Sequence, residues 1–315
     1  MESLSVAVLV PCYNEEATVG EVVREFSRVL PNAVVYVYDN NSSDRTAEIA
    51  AEAGAVVREE RHQGKGNVVR RMFADVDADI YVMVDGDMTY DAPSAPEMIR
   101  RLTTDNLDMV VGTRLDSDKK GQFRTGHYWG NIAMTRFVSM LFGARLTDIF
   151  SGYRVFSRRY AKSFPAVAEG FEVEAALTIH ALQLRMPVAE MATPYWARPS
   201  GSESKLRTYR DGLRVLWAIA VLFKELRPLL FFTIWAVVLA TFSVVLAYPI
   251  FLTYLQTGLV PRFPTAVAAA GSMILAFISL NCGLILDSVS RGRQEARLLA
   301  YLAVKSPTGA AKLTS

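Results

Sequence analysis

The sequence predicts an α/β fold on a mostly parallel sheet, followed by a membrane-surface helix and two membrane-crossing helices. Three observations predict it. Short Val-rich runs alternate with stretches of helical spacing through the first half of the chain. The runs are too apolar to have a wet face, as expected of strands covered by helices on both sides. Two uncharged runs, 228–261 and 263–286, stand near the carboxyl end, each longer than the roughly 20 residues needed to cross a bilayer.

In chain order, residues 4–10, 34–38, 80–84 and 108–112 read as strands, and 15–30, 43–53, 65–76 and 94–102 have helical spacing. In sheets of this kind the ligand sits beyond the carboxyl ends of the strands, so the loops there are expected to hold the chemistry.

The apolar fraction of 51% and the charged fraction of 21% exclude a disordered chain. The net charge of +2 is unevenly spread. Residues 1–197 carry 21 Lys and Arg against 27 Asp and Glu, a net of −6. Residues 198–227 carry seven against three and residues 287–315 five against two, nets of +4 and +3. The basic groups gather beside the apolar runs, as expected where a chain meets an anionic leaflet. A lipid bilayer is therefore an expected partner, and nucleic acid is not.

The spans are placed at about 229–254 and 265–286 within a hairpin over 228–287. Their connector holds Gly258, Pro261 and Pro264. The alternative, two buried helices of a soluble protein, is disfavoured because such helices seldom run so long without charge. Basic groups flank the outer ends of both spans, whereas the connector has only Arg262. The positive-inside bias then puts both termini, including a tail over 288–315, in the cytoplasm at a cytoplasmic (inner) membrane. Residues 206–227 interleave Leu213, Leu216, Trp217 and Val221 with Arg207, Arg210, Arg214 and Lys224. That pattern fits a helix lying in the interface. No basic stretch followed by an apolar core and a cleavage site opens the chain, so residues 1–205 are expected to form a cytoplasmic domain. Cys12 and Cys282 fall in separate apolar segments, and no disulfide is expected.

The strand ends carry the candidate chemistry. The first leads into Pro11-Cys12-Tyr13-Asn14-Glu15 and the second into Asp39-Asn40-Asn41-Ser42-Ser43-Asp44. Taken alone, Asn and Asp after a strand serve equally as turn and cap residues. The strand over 80–84 ends in Asp85-Gly86-Asp87, two carboxylates that can present a hard oxygen face to Mg²⁺ or Mn²⁺. Lys65 stands between glycines but lacks the pattern of a P-loop, and His62, His127 and His180 lack metal-site spacing.

Together with Gly64-Lys65-Gly66, these motifs resemble, in order, family 2 glycosyltransferases of the GT-A fold. Residues 148–154 (Asp-Ile-Phe-Ser-Gly-Tyr-Arg), 171–174 (Phe-Glu-Val-Glu) and 198–205 resemble the branch of dolichyl-phosphate mannose synthases and bacterial polyprenyl-phosphate glycosyltransferases. The likeness covers about residues 4–213, and the two-span tail matches membrane-anchored members.

The resemblance implies a nucleotide-sugar donor, UDP-linked before GDP-linked, a polyprenyl phosphate acceptor, and a homo-oligomer. It implies that Pro11, Tyr13, Glu15 and Asp39 hold base and ribose, with Lys65 on the base or phosphate. Asp85 and Asp87 would hold the diphosphate and the Mg²⁺ or Mn²⁺. Arg114, Arg124, Arg198, Ser204 and Lys205 would meet the acceptor phosphate or donor diphosphate. Thr89 stands where related enzymes often offer a Gln ligand to the metal, so its hydroxyl would be the third metal ligand, weakly or through water, and the basic motif has one residue more than the Gly-x-Ser-Lys of the mannose synthases. Asp148 reads as a general base or as the orienter of a nearby cation. The expected reaction is inverting, with Asp87, Arg124 and Asp148 at its centre. Two other readings share these motifs. One is a processive polysaccharide synthase, which would need more spans and a Gln-x-x-Arg-Trp motif. The other is a non-catalytic nucleotide-sugar sensor, which would not need two clusters of phosphate-binding cations.

Overall fold

The computed structural model describes residues 4–114, 125–143, 146–165, 173–196 and 211–306. The chain forms two compact units, one of residues 1–213 with 297–315 and one of residues 214–296.

The first unit is built on seven strands: β1 (Val6–Cys12), β2 (Val34–Asp39), β3 (Val56–Glu59), β4 (Ile80–Met83), β5 (Met109–Arg114), β6 (Arg154–Ser157) and β7 (Val188–Thr193). They lie in the order β3-β2-β1-β4-β6-β5-β7, all parallel except β6, which runs against both neighbours. Helices α1 (Val19–Val29), α2 (Thr46–Glu52), α3 (Lys65–Asp75), α4 (Ala95–Thr104), α5 (Thr125–Phe142), α6 (Arg158–Ser163) and α7 (Val173–Gln183) connect them.

The expected absence of a wet face follows from packing on both sides. Leu9, Tyr81, Met83 and Phe156 meet Met72 and Phe73 of α3 and Leu177 of α7 in one core. Val8, Val10, Val37 and Val82 meet Val23 and Phe26 of α1 and Met98 of α4 in the other. Alternate residues of β1 thus enter opposite cores, which is why its run is continuously apolar. The chain leaves β1 toward β2 on one side and returns to β4 on the other. The strand order reverses there, opening a crevice at the carboxyl ends of β1 and β4.

β3, β6 and β7 go beyond the strands expected from the sequence. β3 has four residues, none fully buried, and β7 is partly exposed along most of its length, so neither shows an apolar run. β6 is fully buried but has only four residues and opens on Arg154. The first helix begins at Val19, not residue 15, because side-chain bonds from the next loop hold residues 14–16 outside it.

In the second unit, α9 (Pro228–Thr257) and α10 (Phe263–Leu302) are long and apolar enough to cross a membrane. Ser243 Oγ donates to the Ala269 carbonyl at 2.7 Å and Ser279 Oγ to the Phe232 carbonyl at 3.0 Å. A Cβ on Gly283 would stand 2.9 Å from Phe232 Cβ, so glycine sets the close approach of the two helices. Trp235, Val245, Phe251, Ile274, Phe277 and Ile285 are all exposed. Buried helices of a soluble protein would hide such side chains, whereas helices that cross a bilayer can leave them on the outside. The helix over residues 206–227 is described from residue 211, as α8 (Asp211–Leu226).

Of the tail expected over 288–315, residues 288–306 are described. α10 continues to Leu302, and residues from Arg297 onward belong to the first unit. Arg297 Nη1 donates to Gln183 Oε1 at 2.8 Å, and Tyr301 packs against the α3/α7 core.

Candidate active site

The loops after β1 and β2 are knitted together. Asn14 N donates to Ser42 Oγ at 2.9 Å, and Asn14 Oδ1 accepts from Ser43 N at 2.8 Å. Asn14 and Asn41 sit at φ 53° and 60°, left-handed backbone that Asn tolerates better than most residues. Asn40 is buried and ties this loop to the next, bonding the carbonyls of Glu60 and His62 and the Gly64 amide. Asp39 is buried as well. Its Oδ2 accepts from Ser42 N at 3.1 Å, whereas its buried Oδ1 meets no hydrogen-bond partner among the described residues. A buried carboxylate oxygen without a donor is costly, and this one is free, among the described residues, to accept an N–H or O–H. Tyr13 is exposed beside this loop, and the backbone of Glu15 is fixed by Thr46 Oγ1 at 2.8 Å.

Steric demand explains the Asp-Gly-Asp turn. A Cβ on Gly86 would lie 2.6 Å from Cys12 Sγ, and Thr18 Oγ1 holds the Gly86 carbonyl at 2.7 Å. Gly152 comes equally close, since its Cβ would overlap Asp85 Oδ2. Asp87 Oδ1 accepts from Thr89 N at 3.2 Å and from Thr89 Oγ1 at 2.6 Å. The Thr89 hydroxyl thus donates to Asp87 and orients it. Burial pushes the Cys12 thiol well up, and the carboxylates of Glu15, Asp39, Asp85 and Asp87 push it further. These four acids, from three loops, thus all lie within electrostatic reach of Cys12.

Lys65 opens α3 and reaches one of these acids. Its Nζ lies 2.5 Å from Asp85 Oδ1 and 2.5 Å from Glu174 Oε1 of α7. Burial pulls its pKa down, but the two carboxylates outweigh burial and hold it above the ordinary range.

On the far side, Arg114 at the end of β5 grips Asp148 with both arms, at 2.7 and 2.8 Å. Glu190 fixes the loop before it by accepting from Thr147 and Asp148 amides at 2.9 and 3.3 Å. Arg154 is fully buried beneath this loop, donating to the carbonyls of Ile149 and Ser151 and to Thr178 Oγ1. The Tyr90 hydroxyl accepts from Gly152 N at 2.8 Å. Burial raises its pKa most, Asp85 raises it further and Arg114 opposes, so Tyr90 lies within electrostatic reach of both Asp85 and Arg114.

Asp39, Lys65, Asp85, Asp87, Arg114 and Asp148 are thus brought to one end of the sheet. Arg124, Arg198, Ser204 and Lys205 lie outside the described residues. Glu174 is a site residue that the sequence shows only within a motif. Among the described residues no group of three or more His, Cys, Asp or Glu is gathered closely enough to hold a metal alone. The hard oxygens of Asp85 and Asp87 still suit Mg²⁺ or Mn²⁺, which keep waters and complete their shells with phosphate oxygens.

A family model described as "Glycosyl transferase family 2" matches residues 7–164. The chain belongs to that family. Among its relatives, glycosyltransferase AglJ of Haloferax volcanii is 32% identical over 72% of this chain and 75% of its own length. A dolichyl-phosphate hexose transferase of the same organism is 31% identical over 66% of this chain and 90% of its own. Protein RfbJ of Shigella flexneri is 55% identical over 40% of this chain and 97% of its own. Glucosyl-3-phosphoglycerate synthase from Mycobacterium tuberculosis, solved with Mn²⁺, UDP and glucosyl-3-phosphoglycerate, superposes with a TM-score of 0.58 at 23% identity. That match covers 70% of this chain and 80% of the other and shows the shared GT-A fold of this family 2 chain.

Proposed function

We propose that this family 2 glycosyltransferase moves a hexose or N-acetylhexosamine from a nucleotide-sugar, a UDP-sugar first, to the phosphate of a polyprenyl phosphate. The reaction inverts the anomeric carbon and occurs at the cytoplasmic membrane face. The observation that carries the reading is that Asp39 at the end of β2 and Asp85 and Asp87 after β4 all lie near Cys12 at the end of β1, with Asp39 Oδ1 lacking a donor among the described residues. The relative named as a dolichyl-phosphate hexose transferase and the two long apolar helices support the acceptor class.

Asp39 accepts an N–H from the base, and Tyr13 and Pro11 flank it, with Glu15 toward the ribose. Asp85 and Asp87 hold Mg²⁺ or Mn²⁺, oriented at Asp87 by Thr89. When bound, that ion supplies positive charge to the departing diphosphate. Lys65 adds a second cation at the donor. The acceptor phosphate has its second pKa near ~6 and is already a charged nucleophile at neutral pH. Repulsion between two anions, more than proton removal, is then the obstacle. Arg114, aimed by Asp148, meets it with a planar fork that stays charged. Arg124, Arg198, Ser204 and Lys205 complete the acceptor side.

The test is a panel of UDP- and GDP-sugars with undecaprenyl phosphate and the full-length protein in nanodiscs, reading product mass and anomeric NMR couplings. A sugar-phosphate lipid of inverted configuration is expected. Transfer only to a growing glycan, or nucleotide binding without turnover, would overturn the reading.

A further inference from the structure

Lys65 carries a fixed positive charge inside the carboxylate cluster, and its two partners belong to different elements. Asp85 follows β4 and Glu174 lies in the first turn of α7, yet both oxygens are 2.5 Å from Nζ. The lysine does not reach in from a loose loop. It is the first residue of α3, and the preceding Gly64 is held at φ 128° with its amide on Asn40 Oδ1 at 2.7 Å. On the other side of Asp85, Oδ2 rests against the backbone of Gly152, where a Cβ would overlap it. Asp85 thus has an ammonium on one oxygen and main chain close to the other, with part of its side chain still exposed. A divalent cation drawing on Asp85 meets the ammonium at close range, and two cations on one half-buried carboxylate repel strongly. An ammonium released there without a second partner would remain partly buried and unpaired, which is also unfavourable. Glu174, 8% exposed, is the second partner.

We propose that Glu174 is a positioning residue that retains Lys65 while a divalent cation takes up Asp85, so that the ammonium moves between two carboxylates. This rests on the nucleotide-sugar reading of the site and deepens it. Glu174 thereby lowers the cost of loading the metal, although it is not a ligand. Lys65 stays within the cleft, poised for donor phosphate, and leaves Asp85 to the metal.

The two residues should then act on metal affinity with opposite signs and not additively, which two independent charges near the cation would not do. Mn²⁺ binding is measured by electron paramagnetic resonance, and UDP binding in saturating Mn²⁺ by calorimetry, on the full-length protein in nanodiscs. Lys65→Met removes the competitor, so Mn²⁺ is expected to bind about tenfold tighter while UDP binds about tenfold weaker. Glu174→Gln leaves Lys65 with Asp85 alone, so Mn²⁺ is expected to bind about tenfold weaker. The double variant should follow Lys65→Met, and Glu174→Asp, which keeps the charge, should fall between wild type and Glu174→Gln. Single variants that shift Mn²⁺ affinity in the same direction, or a neutral Glu174→Gln, would overturn the inference. If Asp87→Asn still abolishes Mn²⁺ binding in that case, the nucleotide-sugar reading stands and only the role of Glu174 falls. If the wild type binds no Mn²⁺, both fall together.

Discussion

Arg114 takes both carboxylate oxygens of Asp148, Nε meeting Oδ2 at 2.7 Å and Nη2 meeting Oδ1 at 2.8 Å. Oδ1 also accepts from Phe150 N at 3.2 Å. A carboxylate engaged in this way is poorly disposed to take a proton from a substrate, and a phosphate nucleophile does not require it to. Of the two roles the sequence leaves open for Asp148, orientation of a cation fits this geometry better.

That role has a kinetic signature. Asp148→Asn and Arg114→Lys should each lower kcat/KM about 10- to 100-fold, since either breaks the fork. The double variant should be little worse than either single one, because the pair acts as a unit. Additive losses, with the alkaline limb of the pH–rate profile lost only in Asp148→Asn, would make Asp148 the base.

The acidic turn gives a second expectation. Asp87→Asn should leave the unfolding midpoint near wild type and reduce turnover roughly 10²-fold or more. Thr89→Val removes only the hydroxyl that orients Asp87 at 2.6 Å, so a loss of about tenfold in turnover is expected, recoverable by raising Mn²⁺. Full activity of Asp87→Asn in excess chelator would remove the metal from this site altogether.

What could be read from the chain divides along sequence distance. Asp39, Asp85 and Asp87 were legible because each directly follows an apolar run that buries both faces, so the strand's end announces the loop. The branch motif over 148–154 was visible, but its structural logic was not. Gly152 matters because Asp85 leaves no room for a Cβ, and Arg154 matters because it braces the Ile149 and Ser151 carbonyls from below. Glu174 meets Lys65 across 109 residues of sequence, a pairing that no local pattern encodes. The short strands β3, β6 and β7 escape for the converse reason: partial exposure or a charged residue interrupts the apolar run that would reveal them.

Membrane orientation is open to labelling. Thr257 at the end of α9 and Ser306 beyond α10 should lie on opposite sides of the bilayer. Single cysteines introduced there should react with an impermeant thiol reagent from outside at 257 and only after permeabilisation at 306. The reverse pattern would put the carboxylate cleft on the side without nucleotide-sugar.

His180 predicts how the first unit responds to acid. It is 2% exposed, Nε2 contacts Ser163 Oγ at 3.1 Å, and the rings of Tyr160 and Phe164 stand edge-on to it. Burial, with a smaller push from Arg297, lowers its pKa from 6.5 to about 3. A folded-state value below the unfolded one means that the unfolded chain takes the proton first. The contribution is therefore whole above pH ~6.5 and declines as pH falls toward ~3, by up to roughly 5 kcal/mol. His180→Phe keeps the ring contacts and should flatten this acid limb of the unfolding midpoint, at a cost of about 1 kcal/mol at neutral pH for the Ser163 contact. An unchanged acid limb in that variant would assign the sensitivity to other groups.

Asp108 is the group on which the carboxyl-terminal end of α10 is fastened. Its side chain is fully buried and accepts four hydrogen bonds: from Ser157 Oγ at 2.6 Å, Arg159 Nε at 2.5 Å, Arg159 Nη2 at 2.9 Å and the Tyr301 hydroxyl at 2.8 Å. The Arg159 guanidinium also stands 4.9 Å from the centre of the Tyr301 ring, and burial together with Asp108 pushes the tyrosine pKa up to about 12. Tyr301→Phe removes one of four donors and keeps the ring beneath the guanidinium, so a loss of about 1 kcal/mol is expected. Asp108→Ala leaves the Arg159 charge partly buried and unmatched, and should cost about 3–5 kcal/mol. The cluster lies at the start of β5, at the opposite end of the strand from Arg114, so kcat per folded molecule should hold in both variants. Denaturant unfolding of the detergent-solubilised protein, with turnover normalised to folded protein, separates the two effects. Equal destabilisation by the two substitutions would mean that the tyrosine hydroxyl, and not the buried ion pair, carries the joint.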